Sequence, residues 1–88
     1  MGMNFSKDDY RDTAEAKKLL KSNPSLTAVI RTKDDGGAYV VLTLNNSKFV
    51  LCTQKRNDRN VKIRPFKTYD AALDAIRNIG FKIAAVVF

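Results

Sequence analysis

A chain of 88 residues, 44% apolar and 28% charged, can build one modest core but not two, and it falls outside the composition of disordered segments. It carries 16 Lys and Arg against 9 Asp and Glu, a net charge of +7, with no histidine. Lacking the side chain most used for proton transfer near neutral pH, and the commonest zinc ligand, the chain is expected to be non-enzymatic and to need no metal or other cofactor.

In chain order, MGM reads as a start at Met3 preceded by two added residues, within a single domain spanning 1–88. In FSKDDY, Ser6 has the character of a helix N-cap, Asp9 can reach back to it, and Phe5 can staple onto Tyr10. The predicted helix continues through AEAKKLL with Tyr10, Thr13, Ala14, Ala16 and Leu20 on one broad face. It stops near Ser22, because Pro24 disfavours helix at Asn23.

From Leu26 the apolar period changes to two, through SLTAVIRTK, AYVVLTL and KFVLCTQ, which predicts three strands of a meander. Gly36 or Gly37 suits the first turn, and Asn45 or Asn46 suits the second. Cys52 is the sole cysteine and sits mid-strand, where a core thiol in a reducing compartment is expected. KRNDRN follows as a polar turn. VKIRPF then reads as a fourth strand, with Val61 and Ile63 on one side and Lys62 and Arg64 on the other, ending or lying at an edge because Pro65 donates no backbone hydrogen bond.

Thr68 caps a second helix whose apolar side is Ala72, Ala75, Ile76 and Ile79, and Gly80 ends it with Phe81 placed to touch Ile76. FKIAAVVF is apolar on both faces and predicts a covered C-terminal strand. The fold expected is α+β: helix, antiparallel meander of three to four strands, helix and C-terminal strand, with both helices on one face of the sheet. The apolar run IAAVVF is far shorter than the roughly 20 residues of a membrane-spanning helix, so a soluble cytoplasmic protein with no membrane association is expected. Apolar residues on both faces of VVLTL and FVLC ask for further cover, which predicts a homodimer.

The acidic residues have local roles. Asp8, Asp9, Asp12 and Glu15 belong to the first helix, Asp34 and Asp35 to a turn, and Asp70 and Asp74 to the last helix. Gly36 and Gly37 join two strands and do not open a helix, so no phosphate-cradling loop is present.

The charge is concentrated. Residues 48 to 67 hold Lys48, Lys55, Arg56, Arg59, Lys62, Arg64 and Lys67 against Asp58 alone, a net of +6 out of +7. Such a cluster draws a polyanion through its field, and each phosphate it neutralises releases counterions. The competing reading is an edge strand and loop kept soluble by charge. Aromatic interleaving is thin, since Phe66 suits the core, so the expected partner is duplex DNA held by its backbone, with those seven cations as candidate contacts. The alternative is a protein-interaction module whose basic patch meets an acidic protein.

The stretch from VLTLNNSKFVLCTQKRN through RPFKTYDAALDAIRNIG resembles small plasmid-borne proteins of the ParC type, associated with partition and stability. The resemblance runs from Tyr10 to Phe81, through a hairpin, a basic turn, the RPFKT helix cap and an Ala-rich helix. It implies maintenance of a mobile element in a bacterial cytoplasm, alongside partition proteins, an ATPase and its centromere. A fainter likeness is to the three-stranded sheet and helix of some phage integrases, to which this chain adds an N-terminal helix and a C-terminal strand. The double-stranded RNA-binding fold has a similar element order, but TYDAA stands where its lysine cluster is expected.

Overall fold

The computed structural model describes residues 6–32, 37–53, 61–82 and 86–87. Elements follow in the order β1 (Tyr10–Arg11), α1 (Thr13–Ser22), β2 (Thr27–Thr32), β3 (Ala38–Leu44), β4 (Ser47–Leu51), α2 (Tyr69–Ile79) and β5 (Val86–Val87). The fold is α+β, with a mixed sheet in the order β1-β4-β3-β2-β5. Strands β2, β3 and β4 form the antiparallel meander, and the two-residue strands β1 and β5 run parallel to β4 and β2 at its edges.

The first helix begins later than expected. Ser6 and Asp9 do engage, through Ser6 N–H and Oγ donating to Asp9 Oδ2 at 3.3 Å, but they close a 3-10 turn over Lys7–Asp9. The chain then extends so that Tyr10 and Arg11 pair with Val50 and Leu51. A second capping signal, DTAE, starts α1: Asp12 Oδ1 accepts from Glu15 N–H at 2.9 Å, and Glu15 Oε1 accepts from Asp12 N–H at 3.2 Å. Adding an edge strand outweighs one more helical turn, because it satisfies backbone groups of β4 that would otherwise face outward. Tyr10 therefore leaves the expected helical face, and Ala14 is exposed.

The second helix follows the expectation closely. Thr68 Oγ1 accepts from Ala71 N–H at 3.1 Å, and Ala72, Ile76 and Ile79 are buried. Gly80 adopts φ 118°, which disfavours any side chain, and Phe81 N–H donates to the Ile76 carbonyl at 3.3 Å.

Both helices lie on one face of the sheet. Ala16 of α1 and Ala72, Ile76 and Ile79 of α2 pack in one cluster with Ala28 and Ile30 of β2, Ala38, Val40 and Leu42 of β3, and Leu51 of β4. The registers Ala28↔Leu42↔Phe49 and Val29↔Val41↔Val50 separate the two faces. On the far face Val41, Val50 and Cys52 are no more than 2% exposed, while Thr27, Val29, Tyr39 and Thr43 are half-buried. Cys52 is thus the buried core thiol expected. At the β3–β4 turn Asn45 takes the positive φ, 54°. The DDGG turn, apart from Gly37, lies outside the described residues.

VKIRPF is not a regular fourth strand; it makes two isolated bridges, Cys52↔Ile63 and Ala38↔Phe66. The β3–β4 ladder stops at Val41↔Val50, and its register would next have paired Val40 with Leu51 and Tyr39 with Cys52. Cys52 N–H donates toward β1, to the Arg11 carbonyl at 2.8 Å, so Leu51 C=O and Thr53 N–H point the other way, toward β3. Those are the groups bonded to Arg64 N–H and Lys62 C=O, each at 3.0 Å. Ala38 has Thr32 of β2 on one side and exchanges both its hydrogen bonds with Phe66 on the other, at 2.8 and 2.9 Å.

Residues 61–66 therefore sit between β3 and β4, where the two strands have parted. Both bridges are antiparallel, and β3 and β4 are antiparallel to each other. The segment must run inward along β4, reverse at Arg64–Pro65 and run outward along β3. It is a plug, and Pro65 sits at its bend, where no N–H is needed. The insertion brings Phe66 to 8% exposure in the helix-side core, and burial of a side chain that size contributes about 1.5–3 kcal/mol.

Candidate nucleic-acid interface

The seven candidate cations separate into groups once the plug is placed. Lys62 opens the inward arm, just before Ile63, and Lys67 follows the outward arm, and both are exposed. Because the chain reverses between them, their main chains lie at the same end of the sheet, the open end of the β3–β4 split. Lys62 is held there through its backbone, with its N–H donating to Thr53 Oγ1 at 3.3 Å and its carbonyl accepting from Thr53 N–H at 3.0 Å. Lys67 is fixed between Phe66 in the core and Thr68 at the cap of α2. Local geometry thus sets both main-chain positions and leaves both ammonium groups in water.

Lys48 stands apart. It is exposed and pairs with Thr43 beside the Asn45–Asn46 turn, at the opposite end of β4 from Thr53. Five residues of strand put roughly 16 Å between those positions.

Arg64 is committed to the protein. Its guanidinium stacks on the Phe66 ring at 5.0 Å from the centroid, and its Nη1 donates to Thr13 Oγ1 at 3.2 Å, at the first turn of α1. The side chain is half-buried and joins the bend of the plug to the start of a helix. Lys62 and Arg64 flank the bridged Ile63 and differ in exposure: Lys62 is exposed, whereas Arg64 is half-buried against Phe66 and Thr13.

Lys55, Arg56 and Arg59 lie outside the described residues. The residues that bracket 54–60 are Thr53 and Val61, next to the Thr53–Lys62 hydrogen bond, so the chain departs from and returns to the end of the sheet that carries Lys62 and Lys67.

A second arginine, invisible as a feature in the sequence, is used in the same manner as Arg64. Arg11 lies over the Phe49 ring at 4.5 Å, and its Nη1 donates to the carbonyls of Asp8 and Tyr10 at 2.7 and 2.8 Å. The signal available was its position two residues from the Asp9 turn and one before the Asp12 cap, but the partner ring is remote in sequence. Beside the plug, burial of the Tyr69 phenol raises its pKa above the ordinary 10.0.

The far face bears on assembly. The apolar residues there that called for a second subunit, Val41, Val50 and Cys52, are already buried in the single chain. Among the described residues no helix is long and apolar enough to cross a membrane.

No protein-family model matches the chain, and no curated protein or solved structure is significantly similar to it.

Proposed function

We propose that this chain is a small, basic, non-enzymatic accessory protein that holds nucleic acid, duplex DNA, by its phosphate backbone at the open end of the β3–β4 split. The observation that supports the reading is that Lys62 and Lys67, which flank the bent segment, are both exposed, while Arg64 is half-buried and bonded to Thr13. Lys55, Arg56 and Arg59 enter on sequence, through the tether of their segment at Thr53 and Val61. These side chains neutralise phosphates, which carry no sequence information directly. Binding is therefore only weakly sequence-dependent. Lys48 contributes to the long-range field and not to this contact.

A role in plasmid or mobile-element maintenance, with partition proteins as companions and a cytoplasmic location, is the setting that the likeness to ParC-type proteins suggests for such an activity. Self-association belongs to the proposal as well, through the half-buried strip of Thr27, Val29, Tyr39 and Thr43 on the far face. The direct test is a mobility-shift titration of the full chain against random-sequence duplex at two salt concentrations. Retardation at low salt that weakens steeply as salt rises supports the reading. Absence of retardation at low salt transfers the basic patch to an acidic protein partner.

A further inference from the structure

We propose that the groove between the C-terminal ends of α1 and α2 binds a small amphipathic anion, a carboxylate carrying an apolar tail. The site is built from residues outside the basic cluster and does not rest on the nucleic-acid reading.

The groove has a volume of about 370 Å³, within the roughly 300–1,000 Å³ typical of small-molecule sites. Leu20 reaches it from the last turn of α1, Pro24 and Leu26 from the link into β2, and Phe81 from just beyond the cap of α2. Leu26 and Phe81 are buried and belong to the core, whereas Leu20 is half-buried and Pro24 exposed, so the surface offered to a ligand is largely apolar. Gly80 keeps the groove open. It is held at φ 118°, where a side chain is disfavoured, and a Cβ at this position would stand 3.6 Å from Leu20 Cδ2, between the two helices.

The charge of the lining decides the class of ligand. Lys21 and Lys82, both exposed, come from different helix ends to the same groove, and among the described residues its lining has no carboxylate. Lys17 and Lys18, exposed one turn earlier on α1, add to the positive field. The two helix C-termini oppose an anion with about half a negative charge each. Much of that opposition is taken up locally. Asn23 donates through its backbone N–H to the carbonyls of Leu19 and Leu20 and through Nδ2 to Leu19, and Gly80 N–H donates to the carbonyls of Ile76 and Arg77. Two full positive charges therefore outweigh the helix ends. Lysine stems lie along apolar surface while their ammonium groups stay in water, so a tail resting on Leu20 and Pro24 leaves its carboxylate among cations at the rim. A neutral tail forfeits the ammonium contacts, and a small anion without a tail forfeits the apolar ones.

Titration of the full chain with decanoate, followed by amide chemical shifts, tests the site. Saturable shifts are expected at Leu20, Gly80, Phe81 and Lys82, with a dissociation constant on the order of 1 mM for a ligand of this size. Decanol and acetate should each bind about fivefold more weakly or worse. The double variant Lys21→Gln, Lys82→Gln should also bind decanoate about fivefold more weakly, a modest loss because exposed ion pairs are individually weak. Both side chains are exposed, so the variant should keep its fold, which an unchanged Tm verifies. Equal binding of decanol and decanoate, or of decanoate by the variant and the unsubstituted chain, overturns the proposal. So does the absence of saturable shifts, or their spread across the β2–β3 ladder, which marks a detergent effect. Retardation of duplex DNA is read separately on the same chain, and its absence removes the nucleic-acid reading while leaving this site standing.

Discussion

Replacing Arg64 with Ala separates two roles that one guanidinium could have, holding the plug or holding phosphate. In the folded chain Arg64 makes a hydrogen bond to Thr13 Oγ1 at 3.2 Å and lies 5.0 Å from the centre of the Phe66 ring. A hydrogen bond from a charged donor contributes about 1.5–3 kcal/mol when well buried, and the half-exposed setting of Arg64 brings this to about 1 kcal/mol. The stacking adds about 0.5–1 kcal/mol. The total, about 1.5–2 kcal/mol, corresponds in a domain of this size to a fall in Tm on the order of 10 °C. Thermal unfolding followed by circular dichroism measures that fall directly. The companion measurement is the dependence of duplex affinity on salt, whose log-log slope should stay as it is in the unsubstituted chain, because no phosphate contact has been removed. By comparison, Lys62→Ala or Lys67→Ala should leave Tm nearly unchanged and make the slope shallower by about one unit. Unchanged stability in Arg64→Ala together with a slope shallower by about one unit refutes the assignment and returns Arg64 to the phosphate contacts.

Asp12→Ala removes the N-cap of α1 and should cost about 1 kcal/mol in chemical denaturation, whereas Ser6→Ala, which touches only the 3-10 turn, should cost much less; equal costs would place the helix start at Ser6. The raised pKa of Tyr69 predicts an alkaline weakness: the folded state favours the neutral phenol, so stability is full below the unfolded value of 10.0 and declines as pH rises through and above it. Tyr69→Phe should reduce that decline, and an identical stability profile in the two proteins above that pH would contradict it. Sedimentation equilibrium tests self-association, with a mass of twice 9.9 kDa expected at high concentration and the single-chain mass counting against the far-face strip.

Where sequence and structure agree, the information was local. The Thr68 cap, the i, i+3, i+4, i+7 pattern of Ala72, Ala75, Ile76 and Ile79, and the Gly80 stop all lie within a few residues of what they control, and α2 follows them. The same holds for the period-two runs of β2, β3 and β4, whose turn at Asn45 was among the two positions expected. Where they differ, the deciding partner is remote. SKDD and DTAE are both competent capping signals, and the choice between them was made by Val50 and Leu51, some forty residues on in the sequence, which recruit Tyr10 and Arg11 as a strand. VKIRPF alternates as a strand should, yet Phe66 is drawn into the core beside Ala38 and the segment folds back at Pro65. The basic cluster was legible as composition. Its division into a half-buried Arg64 bonded to Thr13, a distant Lys48, and exposed Lys62 and Lys67 depends on contacts remote in sequence, which no periodicity encodes.

The central claim, that the basic cluster of residues 55–67 binds nucleic acid through its phosphates, is tested most directly by the salt dependence of duplex affinity in the full chain. With Lys55, Arg56, Arg59, Lys62 and Lys67 neutralising four or five phosphates, the log-log slope should be about −4, and the five-residue replacement by neutral side chains should abolish binding at about 50 mM salt. A chain that fails to bind duplex at that salt, or one whose slope survives the five replacements unchanged, contradicts the account.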